Sequence, residues 1–226
     1  MRAHARMGAC DMIKLIFVRH GESKSNESGK FAGSSDIPLS ELGKKQAKLV
    51  CEYVLKNYTV DAVYASPLSR AYDTVKGIGL AAGVPVVKNS AFKEINGGLW
   101  EQKTLEEIDS LYGADFAFWK KEVGLARPTG GETFGEVQTR ALKGISELFE
   151  KHDGQTVAIG THAGVIRALQ CRFQGLPMTA MKYMPWVTNT SVTEVDFDGE
   201  NFYLYKFCED GHLAPIADQI KTKIKF

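Results

Sequence analysis

The segment at residues 14–23, KLIFVRHGES, constrains the fold of this chain more than any other. Residues 14–18 are mostly apolar and partly β-branched, which is typical of a short buried strand. Arg19 and His20 open the polar turn that follows, so we expect them at the carboxyl edge of a sheet, where open α/β sheets place ligand sites. Arg19 offers a planar fork of donors for phosphate or carboxylate, and His20 can act as a nucleophile near neutral pH. The alternative is an ordinary strand exit with a chance Arg-His pair.

Apolar strand patterns alternate with helical patterns through most of the chain. The predicted strands cover residues 14–18, 62–65, 84–88 and 156–160, with a hairpin at 191–197 and 201–207. The predicted helices cover about 40–56, 69–82, 104–112, 114–123, 133–151 and 162–173, with Ser40 and Ser66 as cap candidates. This alternation predicts an α/β fold, a three-layer α/β/α sandwich with a mainly parallel central sheet.

Length and composition favour one large domain. The chain has 226 residues, of which 44% are hydrophobic, and this is ample for a real core. Residues 1–12 are expected to form a flexible N-terminal extension, with Met12 as an alternative start. We expect residues 13–226 to form a single domain, in which an aromatic-rich insertion at about 95–130 forms a cap over the site.

Charge and cysteine usage exclude several classes of partner. The 28 basic and 27 acidic residues nearly balance, so nothing global indicates nucleic acid or a membrane surface. The four cysteines are scattered without a C-x-x-C pair, which gives no zinc or redox pattern and favours a reducing, cytoplasmic location. No apolar run approaches the ~20 residues of a membrane helix, and the first residues lack the apolar core of a secretory signal.

Three strand ends carry similar chemistry. Arg19 and His20 follow the first strand, Arg70 lies in the first helical turn after the second, and His162 follows the strand at 156–160. If these strands are parallel, their ends share one edge and form an anion site that suits a phosphate dianion best. Glu94, after the third strand, could face the same cleft. Taken singly, His162 could be a structural histidine, Arg70 a surface ion-pair residue and Glu94 a solvated carboxylate.

Seven motifs occur in one order along nearly the whole chain. They are RHGES at 19–23 with Asn26, FAGSSDIPLSELGKKQA at 31–47, SPLSRA at 66–71, EINGGLWE at 94–101, GGET at 130–133, THAGVIRAL at 161–169 and NTSV at 189–192. With these motifs the chain resembles the histidine phosphatase superfamily in its phosphoglycerate mutase-like branch. The resemblance implies the phosphoglycerate mutase-like form of the fold.

The resemblance also implies a mechanism through a phosphohistidine. His20 would be the nucleophile, with its second ring nitrogen donating to a fixed acceptor. Arg19, Arg70 and His162 would hold the phosphoryl oxygens, where charge spreads in the transition state. Glu94 would protonate the leaving alcohol and then deprotonate the attacking water.

The remaining pocket residues implied by the resemblance bind substrate rather than react. Besides Arg19 and Arg70, they are Asn26, Gly33 and the backbone N–H of Ala163. No metal or other cofactor is implied, because the Arg and His cations supply the positive charge that a metal would bring. The expected partner is a small phosphorylated metabolite.

Two enzyme classes share this resemblance, and the sequence favours one of them. Family mutases are similar up to the acid, then carry a Tyr three residues later, a Lys further on and an Arg pair in the insertion. Here Gly97 and Leu105 stand at the first two places, and the insertion has no Arg-Arg pair. We therefore predict a metal-independent phosphomonoesterase, with a 2,3-bisphosphoglycerate-dependent mutase as the alternative enzyme. A catalytically silent phosphoprotein-binding module is the alternative outside enzymes.

Three positions depart from the family pattern. Gln102 replaces a common glycine, Ser34-Ser35 occupies a place where a Trp is frequent, and Ala163 replaces a glycine after the second histidine. Each departure is expected to reshape the substrate pocket without removing a catalytic group. The insertion and the apolar loop at 176–188 are expected to cover the site, while the substrate and the oligomeric state stay open.

Overall fold

The computed structural model describes residues 12–220, and the predicted extension lies outside them apart from Met12. The strands are β1 (Ile13–Arg19), β2 (Ala62–Ala65), β3 (Val86–Lys88), β4 (Thr156–Thr161), β5 (Val192–Phe197) and β6 (Phe202–Glu209). The helices are α1 (Lys24–Ser28), α2 (Glu41–Asn57), α3 (Ser69–Ala82), α4 (Leu105–Glu122), α5 (Phe134–Phe149) and α6 (Ala163–Phe173). Short 3₁₀ segments cover Ser90–Phe92, Gly98–Trp100, Met178–Tyr183 and Gly211–Gln219.

The strands form one sheet in the order β3-β2-β4-β1-β5-β6. β3, β2, β4 and β1 are parallel to one another, while β5 runs antiparallel to β1 and β6 antiparallel to β5. The predicted hairpin of β5 and β6 is confirmed. The mainly parallel sheet and the α/β class are confirmed with it.

Side chains of β1 alternate between two apolar cores, which defines the three layers. Leu15 and Phe17 belong to the core shared with α4, α5 and α6. Ile16 and Val18 belong to the second core, to which α2 and α3 contribute. All four side chains are fully buried, as expected for a central strand covered by helices on both faces.

Local capping explains where several helices begin. The Ser40 hydroxyl accepts from the Gly43 N–H and caps α2 as predicted. The Ser23-Asn26 capping box starts α1, a short helix that the sequence analysis missed. Thr104 and Thr133 start α4 and α5 through the predicted capping boxes with Glu107 and Glu136.

The two helices predicted at 104–112 and 114–123 are confirmed: α4 consists of two helical segments joined across a kink at Tyr112, whose φ of −134° and ψ of 36° are not helical. Ile108, before the kink, and Phe116, after it, belong to the same core. Two other details differ from the prediction. Ser66 does not cap α3, whose N-cap residue is Leu68 without a side-chain hydrogen bond. β3 begins at Val86 rather than at residue 84.

The parallel register brings three strand ends together at one edge of the sheet. Arg19 at the end of β1 pairs with Thr161 of β4, and Ala65 at the end of β2 pairs with Gly160. The next residues continue the pattern, since the His20 N–H donates to the Thr161 carbonyl at 2.9 Å and the Ser66 N–H donates to the Gly160 carbonyl at 2.8 Å. The predicted convergence of strand ends is therefore present.

Candidate active site

A cavity lies at this edge of the sheet, and its volume is about 650 Å³ when the solvent-open entrance is included. Its wall includes the predicted site residues Arg19, His20, Asn26, Gly33, Arg70, Glu94 and Ala163. His162 is fully buried beside His20, with ring centroids 5.1 Å apart. Seven of the eight residues singled out in the sequence therefore line the cavity, and His162 is buried next to them.

His20 is held in the form that a nucleophile requires. Its Nδ1 lies 2.6 Å from the Gly21 carbonyl oxygen. A carbonyl only accepts, so Nδ1 carries the proton and Nε2 keeps its lone pair. Burial, together with Arg70 and Arg19, lowers the pKa of His20 well below its ordinary value of 6.5. His20 is therefore neutral near pH 7.

Arg19 is the last residue of β1, and the chain around residues 186–187 fixes its side chain. One terminal nitrogen donates to the Val187 carbonyl, and the guanidinium carbon lies 5.5 Å from the centroid of the Trp186 ring. Burial lowers the pKa of Arg19 to about 10, with Glu94 acting in the opposite direction. The group is thus still a cation at neutral pH, and its Nε is buried without a partner among the described residues.

Arg70 is held by the loop between α1 and α2. Its two terminal nitrogens donate to the Ser35 carbonyl at 2.7 Å and the Gly33 carbonyl at 2.8 Å. The side chain is almost fully buried, although Arg70 lies in the first turn of α3, where the helix dipole disfavours a cation. The backbone carbonyls offset that cost, and they place Gly33 in the cavity wall as predicted.

Glu101 in turn holds this loop. Its carboxylate accepts from the Ser34 N–H and the Ser34 hydroxyl, both at 2.7 Å, and from the Ser35 hydroxyl. Burial acts to raise the pKa of Glu101, but the hydrogen bonds from Ser35, Ser34 and the Gly97 N–H outweigh it and lower the pKa. The Ser34-Ser35 departure from the family pattern therefore has a structural role, since these serines fasten the loop that orients Arg70.

His162 contacts Ser66, the residue predicted to cap α3. The His162 Nε2 lies 2.8 Å from the Ser66 hydroxyl oxygen, while its Nδ1 is buried without a partner among the described residues. Burial, together with Arg70 and His20, lowers the pKa of His162 well below 6.5. The prediction that His162 is one of the cations of the pocket is not supported, because burial beside other positive charge favours the neutral ring. A neutral imidazole still offers one N–H to a phosphoryl oxygen.

The Glu94 carboxylate is fixed by two backbone amides. One oxygen accepts from the Ile95 N–H at 3.0 Å and the other from the Gly164 N–H at 3.3 Å, in the first turn of α6. A Cβ on Gly164 would lie 2.4 Å from Glu94 Oε1, so only glycine permits this approach. Glu94 therefore lines the cavity in a fixed orientation and is not a solvated surface carboxylate.

Asn26 and Ala163 each present a donor to the cavity wall. The Asn26 side-chain oxygen accepts from the N–H and the hydroxyl of Ser23, at 3.1 and 3.0 Å. Its amide NH₂ is therefore the group left for a ligand. Ala163 is the first residue of α6, so its backbone N–H belongs to the positive end of a helix of 11 residues.

Gln102 adopts a backbone conformation that explains the glycine common in the family at this place. Its φ is +63°, in the left-handed region that favours glycine. The side chain is exposed, and the backbone N–H donates to the Phe31 carbonyl at 2.8 Å. The departure therefore strains the turn without entering the pocket.

Several residues of the cavity wall were not predicted to belong to the site, above all Trp119 of α4 and Arg167 of α6. Arg167 lies inside the THAGVIRAL motif and is 5% exposed. Ten of the 11 residues of α6 are buried, and a charged residue inside such an apolar helix is a sequence feature that indicates a functional residue. Trp186, in the loop expected to cover the site, also lines the cavity.

Two kinds of feature are absent from residues 12–220. Between residues 12 and 220, no three or more His, Cys, Asp or Glu side chains are grouped as a metal site would need. Within the same part of the chain, no helix has the length and apolar character to cross a membrane.

Comparison with known proteins agrees with this geometry. Residues 15–210 match the model of the histidine phosphatase superfamily (branch 1). Phosphoserine phosphatase 1 of Hydrogenobacter thermophilus is 36% identical over 168 residues, covering 74% of this chain and 79% of the relative. The metal-independent phosphoserine phosphatase of Arabidopsis thaliana is 28% identical over 213 residues, covering 92% and 86%. The solved structure of YhfR from Bacillus stearothermophilus is 31% identical, with a TM-score of 0.84, and covers 89% of this chain and 99% of its own.

Proposed function

The chain belongs to the histidine phosphatase superfamily, and from this we propose that it hydrolyses phosphomonoesters of small metabolites, without a metal ion, through a phosphohistidine at His20. The relatives named above support the class of phosphatase, since their names give them activity on phosphoserine, one of them without a metal. The cavity is lined by cationic and hydrogen-bonding groups of the kind that bind a phosphate ester. The observation that carries the mechanism is the His20–Gly21 hydrogen bond, which leaves the lone pair of Nε2 free in a neutral ring, with Arg70 and Arg19 close enough to lower the pKa of His20.

In the first step His20 Nε2 attacks the phosphorus, and the bond from phosphorus to the ester oxygen breaks. Glu94, in its protonated form, gives its proton to the departing alkoxide. Arg19 and Arg70 stabilise the charge on the phosphoryl oxygens, with N–H donors from His162, Asn26 and Ala163. The products of this step are the free alcohol and the phosphorylated His20.

In the second step water attacks the phosphorus of the phosphohistidine, and Glu94 accepts the proton of the water. The phosphorus–nitrogen bond breaks, and the electron pair returns to His20 Nε2. Inorganic phosphate leaves, Glu94 is protonated again, and the ring is neutral with its proton still on Nδ1. The cycle therefore needs one base and one acid, and the same carboxyl group serves as both.

Rapid quenching of a reaction with radiolabelled phosphoester tests the mechanism. We expect a label that is stable in base and labile in acid, that maps to His20 and that is absent from His20→Gln. Activity should persist in a chelator at millimolar concentration. A label on Ser23, no covalent label, or loss of activity in chelator would overturn the respective part of the proposal.

The two alternatives predict different results. A 2,3-bisphosphoglycerate-dependent mutase would interconvert phosphoglycerates with little release of phosphate, whereas we expect phosphate release to dominate. A silent binding module would bind phosphoesters equally before and after His20→Ala and would turn over none. The places of the mutase Tyr and Lys are taken by Gly97, packed against Phe31, and by Leu105, which packs on the core.

We also propose a cytoplasmic location. Cys51, Cys171 and Cys208 are free thiols, as expected in a reducing compartment. Cell fractionation with antibodies against the chain tests the location, and recovery in a secreted fraction would contradict it.

A further inference from the structure

The cavity holds more positive charge than a phosphate requires. Arg19, Arg70 and Arg167 all line it, and each is at least 95% buried. Between residues 12 and 220, none of the three forms an ion pair with a carboxylate. Arg19 and Arg70 suffice for a phosphoryl dianion. Burial lowers the pKa of Arg167, and the nearby Glu94 carboxylate opposes that shift. In the first step of the proposed mechanism Glu94 carries a proton, so this opposing charge is then lost.

The Arg167 guanidinium has one hydrogen-bonded terminal nitrogen and one buried nitrogen without an acceptor among the described residues. Its Nη2 donates to the Met181 carbonyl at 2.9 Å, and its guanidinium carbon lies 5.3 Å from the centroid of the Trp186 ring. Its Nε is buried and finds no acceptor among the described residues. A buried cation with an unused donor is costly unless a ligand supplies the missing anion.

Trp119 presents a second unused donor. Its ring packs against Trp100 and Phe134, with centroids 5.4 and 5.3 Å away, and the side chain is 4% exposed. Its indole N–H is buried without a partner among the described residues, in contrast to that of Trp100, which donates to the Thr129 hydroxyl at 3.2 Å. The N–H of a buried tryptophan usually has an acceptor, so the Trp119 N–H is a second donor that is available to a ligand atom.

We propose that Arg167 and Trp119 form a second anion subsite, which selects phosphomonoesters carrying a carboxylate a few bonds from the ester oxygen. This inference rests on the proposed function. Arg19 and Arg167 both lie against Trp186, so their guanidinium groups are separated by no more than the sum of their distances to its ring centroid. This upper limit is compatible with a short acid that places its phosphoryl group at Arg19 and its carboxylate at Arg167. Both groups line the same cavity, and a guanidinium and an indole N–H are each donors to a carboxylate oxygen, whereas a second phosphate would lack a second cation.

Matched substrates test the subsite in the wild-type chain. O-phosphoserine is compared with O-phosphoethanolamine, which lacks only the carboxylate, and 3-phosphoglycerate with glycerol 3-phosphate, which carries a hydroxymethyl group in its place. We expect kcat/KM to be at least about 10-fold higher for the acid of each pair, the effect of a charge-assisted hydrogen bond. Ratios near one would overturn the subsite.

Two variants assign the preference to these residues. Arg167→Gln should bring both ratios close to one, and Trp119→Phe, which keeps a ring and removes the N–H, should lower them a few-fold. Arg172→Gln, an exposed position on the same helix, is the matched control and should keep the wild-type ratios. Equal losses for both members of each pair in Arg167→Gln would mean that Arg167 only supports the fold, and the proposal would fail.

The outcomes separate this inference from the function on which it rests. Covalent label on His20 with ratios near one would overturn the subsite and leave the phosphatase mechanism intact. No hydrolysis of any of the four esters, together with no covalent label on His20, would overturn both. If Arg167→Gln does not fold, Trp119→Phe and the wild-type ratios still decide, since unchanged ratios in Trp119→Phe would exclude its N–H from the subsite.

Discussion

Replacing Gly164 by Ala should displace the Glu94 carboxylate while leaving the fold intact. The new Cβ would lie 2.4 Å from Glu94 Oε1 and 2.7 Å from Phe134 Cε1. Glu94 Oε1 lies at the end of a side chain that can move without shifting the backbone, and the Phe134 ring, which is buried against Trp119, must turn or shift as well. The variant should therefore fold, with its general acid in the wrong place.

The expected loss follows from the size of that displacement. A normal non-bonded contact is about 3.5 Å, so the carboxylate must move by about 1 Å. A misplacement of about 1 Å can cost on the order of 100-fold in rate, or about 2.7 kcal/mol of transition-state stabilisation. The loss should concentrate on esters whose alcohol needs a proton in order to leave.

Two substrates with different leaving groups isolate the acid. We expect kcat/KM of Gly164→Ala to fall on the order of 100-fold for glycerol 3-phosphate and by much less for p-nitrophenyl phosphate, because nitrophenolate leaves without a proton. The matched control is Gly113→Ala, where a Cβ would meet nothing within 4 Å, and both rates should be unchanged. Circular dichroism and thermal melting report whether each variant is folded.

Equal losses for the two substrates in a folded Gly164→Ala protein would refute this reasoning. Such a result would mean that the contact disturbs the phosphate pocket as a whole. Unchanged rates for both substrates would mean that Glu94 is not the leaving-group acid or that it tolerates the displacement.

Three further predictions concern strain, charge and protonation. Gln102→Gly should raise the free energy of unfolding in urea by about 1 kcal/mol, because φ is +63° at this exposed residue; an unchanged or lower value would contradict the strain. The pKa of Glu101 is lowered in the folded chain, so its stabilising contribution is present above its unfolded value of about 4.5 and is lost as the pH falls through the folded-state pKa. Glu101→Gln should therefore be less stable near pH 7 and lose less stability on acidification than the wild type, and equal pH slopes would count against this. NMR of the His20 ring nitrogens should show a neutral ring with the proton on Nδ1 down to about pH 6, whereas a midpoint near 6.5 would mean that burial and the guanidinium groups do not lower the pKa.

The strand ends were predictable from sequence because they depend on local pattern and on one topological rule. An apolar strand that runs into a polar turn places its last side chains at the sheet edge, and parallel strands share that edge. Arg19, Arg70 and His162 could therefore be brought together before any contact was known. The family motifs then supplied the roles of His20 and Glu94.

Contacts between distant segments were not predictable in the same way. Nothing local shows that Ser66 faces His162 rather than capping α3, because the contact depends on how β2 and β4 are paired. The neutral state of His162 also depends on burial, which a sequence pattern does not measure. The open donors of Arg167 and Trp119 come from α6 and α4, and only their packing around one cavity makes them neighbours.

The link between Glu101 and the loop at 31–38 has a consequence for protein engineering. Glu101 belongs to the insertion, yet it fastens the loop whose carbonyls orient Arg70. The insertion is therefore not a module that can be transplanted alone to change specificity. A chimera that takes the insertion from a relative should keep Arg70 oriented toward the phosphate only when Ser34, Ser35 and Glu101 are exchanged together.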